Sequence, residues 1–455
     1  MDSMTLADEI IEKAIKRGCD SAEVFIKSAK GISAGAKDGD IEALEASNEI
    51  GIALRVIKGR SLGFSFSTSD ADADIKKTID EAIEGSRWTA EDIYNALPSQ
   101  ATPANVMVFD KEIAVLKEDD LIKHALLLEE KARAYDSRIT KVRKAEVSAG
   151  TSATTVLNSK GASASYESSY VSASVTPLAE DGNDSQIGWG FASSRRLSEI
   201  ALEDIAGSAS RRAVELLGSR KIKPCKSPVI LDPAVAVEFL GIVSASLSAE
   251  AVQKKRSLLA GKIGQSIVSP LIDIVDDGLR PWGTGTRPVD DEGVSVSCKT
   301  LISKGVLTGY LHNTYTAKKD GTVSTGNAVR GGSKSLPGVG ATNIYIKPAK
   351  NQGSGGRGQG SEIQNYSLVK SLSKGILITE VMGVHTANSV SGDFPVGISG
   401  LWIENGRALY PIKEAVISGN ILELFRRVEA VGSDLTFYGG KGSPSILIGG
   451  MDISA

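Results

Sequence analysis

The chain has 455 residues, 41% hydrophobic and 24% charged, with 48 glycines and only 5% aromatics. That length suggests two or three domains with enough interior to fold without cross-links. Its 52 basic and 55 acidic residues leave a net charge of −3, which excludes a strongly basic nucleic-acid coat and an acidic disordered tail. The three cysteines, Cys19, Cys225 and Cys298, are far apart and include no C-x-x-C. They exclude a disulfide framework or zinc knuckle and fit a reducing compartment. No apolar run approaches the ~20 residues that span a bilayer. Met1–Glu12 carries Asp2, Asp8 and Glu9 and lacks the basic preface of a signal peptide. A cytoplasmic protein with no membrane partner is expected.

Taken in chain order, the first element reads as an amphipathic helix. Thr5 with Asp8 suggests a capping box, Leu6, Ile10 and Ala14 share a face, and Gly18 stands where a helix ends. Val24–Ile26 is a short apolar strand signal. The alternations Ile52, Leu54, Val56 and Leu62, Phe64, Phe66 flank Lys58-Gly59 and predict a hairpin. Asp72–Glu84 and Asp119–Tyr135 have helical spacing. Ile139–Leu157 and Ser163–Thr176, joined by Asn158–Gly161, read as strands, and Ile200–Leu217 as a helix. Lys221–Ser227 is short, polar and Pro-bearing, a plausible domain boundary. Beyond it, Val229–Leu231 is strand-like. Asp232-Pro233 then opens a helix with a buried face of Val235, Phe239, Leu240, Val243 and Leu247. From Pro270 the chain becomes short strands and glycine turns, interrupted by possible helices at Ser361–Leu372 and Ile421–Ala430. The expected class is α+β. Residues 1–220 would form a mixed α/β domain with a largely antiparallel sheet, and residues 228–455 a β-rich domain with a few helices.

The chemical motifs are sparse. The three histidines, His124, His312 and His385, never fall within five residues of one another, so no helical pair of imidazoles can grip a metal. Gly59–Gly63 matches G-x-S-x-G but lies in the hairpin, where a nucleophile elbow would need a strand-to-helix turn. Gly353–Gly358 matches G-x-G-x-x-G, yet Pro348–Gly360 is too long a flexible stretch for a tight pyrophosphate turn. The clusters Lys254-Lys255-Arg256 and Arg426-Arg427 are short, so direct nucleic-acid binding is not expected. Two polar segments stand out: Ser324–Arg330 (S-T-G-N-A-V-R) and Gly383–Phe394 (G-V-H-T-A-N-S-V-S-G-D-F). Both suit an extended peptide bound by strand addition; turn capping is the ordinary role of their Asn and Asp. Asn327, Arg330, His385, Asn388 and Asp393 are the candidate peptide-binding residues. An arginine can pair a carboxylate bidentately and the carboxamides can satisfy peptide amides.

These segments carry a family resemblance. Arg55–Gly63 (R-V-I-K-G-R-S-L-G), Leu157–Gly161, Ser257–Gly264 (S-L-L-A-G-K-I-G), Thr325–Arg330, Gly383–Phe394, Gly400–Pro411 (G-L-W-I-E-N-G-R-A-L-Y-P) and Gly442–Ser445, in this order, resemble the TldD/PmbA family, also called modulators of DNA gyrase. The TldD-like branch carries H-E-x-x-x-H on the first helix of its C-terminal domain and a metal-binding cysteine near its end. The corresponding helix here reads Phe239–Ala245 (F-L-G-I-V-S-A), and Pro444–Ala455 has no cysteine. The resemblance is therefore to the PmbA branch, also called TldE.

The resemblance implies a cytosolic subunit that pairs with a TldD-type metalloprotease, or with itself as a homodimer. Such an assembly admits unstructured peptides, among them precursors of modified peptide antibiotics and antitoxins. It implies no cofactor and no catalytic residue in this chain, with zinc expected in the TldD-type partner. Two alternatives stay open: a metallopeptidase with an atypical site built from His312, His385 and Asp393, and a regulator of DNA gyrase.

Overall fold

The structure, a computed structural model, describes residues 2–99, 102–349 and 367–454. The N-terminal part runs α1 (Ser3–Lys16), β1 (Ser21–Lys37), β2 (Asp40–Lys58), β3 (Ser61–Ser67), α2 (Asp72–Gly85), α3 (Lys111–Ala114), α4 (Glu118–Ala134), β4 (Ile139–Asn158), β5 (Ser163–Asp181), β6 (Asp184–Ile187), β7 (Gly190–Ser194) and α5 (Leu202–Glu215). The seven strands form one antiparallel sheet in the order β3-β2-β1-β4-β5-β6, with β7 also on β5. Side chains alternate across a strand, so β1 has two faces. Val24, Ile26 and Ala34 point to the helices and are fully buried there, the first two beneath α1 and α2, the third beneath α4. Glu23, Phe25 and Lys27 point to the other face, which the C-terminal part covers.

Helix α1 starts one turn earlier than its expected cap. Asp2 accepts from the amides of Met4 and Thr5 at 3.0 and 3.1 Å, and the Thr5 hydroxyl donates to the same carboxylate. Thr5 is therefore helical and not the cap residue. Gly18, at φ +86°, closes the helix as expected. The hairpin at Lys58–Ser61 is in place, with Ser61 on a strand, which removes the nucleophile-elbow geometry. A second hairpin, between β1 and β2, turns on Asp38 (φ 55°) and Gly39 (φ 82°), a left-handed pair of the Asp-Gly type that the sequence reading passed over.

The C-terminal part begins with β8 (Cys225–Leu231) and α6 (Pro233–Ser246), followed by α7 (Ala249–Gln253), β9 (Ile274–Asp277), β10 (Cys298–Ser303), β11 (Val306–Leu307) and α8 (Thr314–Lys319). Next come β12 (Ala328–Val329), β13 (Gly338–Val339), β14 (Ile344–Ile346), α9 (Ser367–Ser371), β15 (Lys374–Met382), β16 (Asp393–Glu404) and β17 (Arg407–Asn420). The chain ends with α10 (Ile421–Arg426), β18 (Val428–Val431), β19 (Thr436–Tyr438), β20 (Lys441–Ser443) and β21 (Ile446–Ser454). One sheet runs β17-β16-β15-β8-β21-β18, and a further β17–β21 pairing closes five of its strands into a ring. A second runs β11-β10-β9-β14-β20-β19. The fold is α+β, as expected.

Helix α6 lies between these two sheets, touching β8 and β15 on one side and β14, β19 and β20 on the other. That position explains its sequence: a helix apolar nearly all round must be enclosed. Asp232 caps it through the Ala234 amide at 2.9 Å, with Pro233 at the first position. The helix expected at Ile421–Ala430 stops at Arg426, because Val428–Val431 pairs with β21 and edge pairing outcompetes another helical turn. Of the expected Ser361–Leu372 helix, α9 covers Ser367–Ser371; residues 361–366 and the whole Gly353–Gly358 motif lie outside the described residues.

Candidate functional site

The histidines do not converge. His124 is half-buried on α4. His312 is buried before α8, its Nδ1 has no hydrogen-bond partner among the described residues, and burial lowers its pKa. His385 is exposed in a single helical turn after Gly383. Among the described residues no three His, Cys, Asp or Glu side chains are grouped so that they could hold a metal ion. The His312–His385–Asp393 centre is therefore not assembled: a metal site needs its donors about 2 Å from one point.

The Gly383–Phe394 segment folds on itself between β15 and β16. Asn388 Oδ1 accepts from the amides of Val390 and Ser391 at 2.8 and 3.1 Å. Asp393 accepts from Asn420 Nδ2 at 3.0 Å and from the Ser391 hydroxyl at 2.7 Å, bonds that lower its pKa. These residues shape an exposed turn, and among the described residues no hydrogen bond or ion pair joins them to Asn327 or Arg330.

Asn327 and Arg330 lie instead in a buried polar layer between the N-terminal sheet and the C-terminal part. Asn327 is 0% exposed; its amide nitrogen donates to Asp276 Oδ2 at 2.8 Å and to the Gly340 carbonyl at 2.9 Å. Arg330 Nη2 pairs with Glu23 Oε1 at 2.6 Å, while Glu23 Oε2 pairs with Arg55 Nη2 at 2.6 Å. Arg55 Nη1 reaches Glu292 Oε1 at 2.9 Å, and Glu292 Oε2 accepts from the Thr314 amide at 2.8 Å. Glu23 and Arg55 are direct cross-strand partners in β1 and β2, so this chain of charges ties two N-terminal strands to two C-terminal loops.

The acidic run Asp290–Glu292 organises the C-terminal side. Asp290 accepts three backbone amides, those of Glu292, Val294 and Ala328. Burial and the neighbouring Glu292 carboxylate push its pKa up. Asp291 accepts from the Arg330 amide at 2.7 Å and from Arg287 Nη1 at 3.0 Å. Sequence reasoning missed Glu23, Arg55, Asp276, Asp290, Asp291 and Glu292. A signal existed in A-E-V-F-I and A-L-R-V-I, where one charge interrupts an otherwise apolar strand. Such a charge is buried against a partner or it would not be tolerated.

Two of the cavities bear on the site. One of about 510 Å³ is mainly apolar and lies beside the start of α6, bounded by Trp189, Val235, Glu238, Glu380, Met382 and Tyr438. Burial raises the Glu380 pKa there, with Arg212 opposing. The other, of about 270 Å³, opens over Lys27, Thr154 and Tyr166, which sit directly opposite one another on β1, β4 and β5.

Family models match almost all of the described chain. The model of the PmbA/TldA metallopeptidase C-terminal domain covers residues 224–455, that of the central domain 111–217 and that of domain 1 residues 22–86. The chain belongs to the PmbA/TldD family. It is 28% identical over 441 residues to a metalloprotease PmbA homolog of Buchnera aphidicola, covering 95% of this chain and 93% of that one. It is 26% identical over 442 residues to metalloprotease PmbA of Escherichia coli O157:H7, covering 96% and 92%. The crystal structure of TldE from Thermococcus kodakarensis superposes with a TM-score of 0.88 at 22% identity, covering 99% of this chain and 100% of that one, which shows a shared fold. Among the described residues of this PmbA/TldD family member, no helix is long and apolar enough to cross a membrane.

Proposed function

We propose that the chain is a PmbA/TldE-type subunit of a TldD-type metalloprotease, itself without a metal, that helps hold unstructured peptides for cleavage. Helix α6 is the observation that carries this reading. Zinc needs three or four His, Cys or carboxylate ligands, and Phe239–Ala245 supplies none. Phe239, Leu240 and Val243 are fully buried, with Phe239 edge-on to Phe394 at 5.1 Å between ring centroids. A Cβ at Gly241 would stand 3.1 Å from the Lys441 ammonium, a charge that repels a dication. These residues do not fit zinc, and no catalytic step through a metal is assigned to this chain. The metal belongs in this reading to the TldD-type partner, and the metalloprotease names of the PmbA relatives support proteolysis as the activity of the assembly.

Mixing the chain with a relative that carries H-E-x-x-x-H tests the proposal. The pair should co-elute as one species and cleave an unstructured peptide, while this chain alone stays inactive and free of stoichiometric zinc. Cleavage by the isolated chain, abolished by chelation, would refute the proposal.

A further inference from the structure

The 270 Å³ cavity has a charge balance that its own residues do not settle. Its floor is the N-terminal sheet, with Lys27, Thr154 and Tyr166 in one cross-strand row and Ser152 opposite Ser168 beside it. Its roof comes from Thr284, Gly285, Arg287, Asp291, Val329, Arg330 and Gly332. Four cations line it: Lys27, Arg195, Arg287 and Arg330. Arg287 is paired with Asp291 and Arg330 with Glu23. Among the described residues no carboxylate pairs with Lys27 or Arg195.

Arg195 is held in place without being neutralised. Its Nε donates to the Gly283 carbonyl at 3.1 Å, Nη1 to the Ser169 carbonyl at 3.1 Å and Nη2 to the Thr284 carbonyl at 2.7 Å. A guanidinium has five N–H groups, so one N–H on each Nη is uncommitted among the described residues. Burial, with Arg287 adding to it, pushes the Arg195 pKa down to about 10. A partly enclosed guanidinium with two open N–H groups and no counter-charge is suited to an anion that completes the set.

We infer that this cavity is a carboxylate-binding subsite, with Arg195 as its donor and Lys27 at its rim. The inference rests on the peptide-holding reading above and deepens it. The cavity is too small for a peptide but admits one residue end, so the ligand is a free C-terminal carboxylate or an Asp or Glu side chain. A carboxylate can accept from both guanidinium N–H groups that Arg195 leaves uncommitted. The hydroxyl and carbonyl groups of the neighbouring strands would meet the flanking peptide amides.

Calorimetric titration of the full chain with three N-acetylated alanine–serine pentapeptides tests this. One has a free C-terminal carboxylate, one is amidated, and one is amidated with an internal glutamate. The first or third should bind roughly tenfold more tightly than the neutral amide, the scale of a charge-assisted bond; which of the two does so identifies the carboxylate source. Arg195→Gln should erase that preference. If Arg195→Gln does not fold, Lys27→Gln, which breaks no ion pair among the described residues, should reduce the preference. Equal binding of all three peptides, or a preference that survives these variants, overturns the subsite while sparing the peptide-holding reading. No binding of any peptide at millimolar concentration overturns both.

Discussion

Arginine 55 offers the sharpest test of how the two parts of the chain are joined. Its side chain is 6% exposed and makes ion pairs of 2.6 Å to Glu23 and 2.9 Å to Glu292. Arg55→Met keeps the aliphatic volume and deletes the charge. Removing one partner of a buried ion pair costs about 3–5 kcal/mol, because the other charge stays buried without compensation. The lower end applies here, since Glu23 keeps Arg330 and Glu292 keeps the Thr314 amide. Unfolding entropy of about 2 cal/mol/K per residue gives roughly 1 kcal/mol per degree for a chain of this length. A loss of about 3–4 kcal/mol then lowers Tm by about 3–4 °C if the chain melts as one unit, and by about twice that if the halves melt separately. Differential scanning calorimetry distinguishes the two. In a double-mutant cycle, Arg55→Met with Glu292→Gln should show a coupling above about 1.5 kcal/mol, because Gln leaves no buried charge behind. A cost below about 1 kcal/mol for Arg55→Met, or additivity within about 0.5 kcal/mol, would refute the argument that this network clamps the sheet to the C-terminal loops.

Two further outcomes follow from local geometry. Burial raises the Glu215 pKa to about 7, against the opposing charges of Arg211 and Arg212. Its folded pKa exceeds the unfolded value, so the stability it contributes is fully present below about 4.5 and is lost as pH rises through about 7. Asp290 acts in the same direction. Tm should therefore fall between pH 5 and pH 8, and Glu215→Gln should flatten part of that slope; an unchanged slope would count against the burial argument. At Gly63 of β3, a Cβ would stand 1.9 Å from the Ala82 carbonyl of α2. Gly63→Ala must push helix from sheet and should cost about 1–3 kcal/mol in urea unfolding, the range for overpacking; a neutral substitution would show that α2 moves freely.

Some elements were readable because their causes are local. The Asp232-Pro233 start of α6, the Gly18 stop of α1 and the Lys58–Ser61 hairpin each depend on a few adjacent residues. Longer features were not. Strand β2 runs from Asp40, through D-I-E-A-L-E-A-S-N-E, where no apolar alternation marks a strand. It is a strand because β1 pairs with it along its whole length, from Ser21 opposite Ile57 to Lys37 opposite Asp40. Helix α10 shows the reverse: helical spacing continued past Arg426, but the open edge of β21 took Val428–Val431.

The candidate site divides in the same way. Asn327 and Arg330 stood out from the chain as polar residues in a glycine-bearing segment, and the H-E-x-x-x-H pattern was visibly missing from Phe239–Ala245. Residue order also determined the α+β class, since alternation and capping signals act between near neighbours. Tertiary structure alone decided that Arg330 meets Glu23, 307 positions away, and that Arg195 lines a cavity with no carboxylate partner among the described residues. Charge pairing acts through space, and only the face of β1 turned toward the C-terminal part determines which ions share a buried layer.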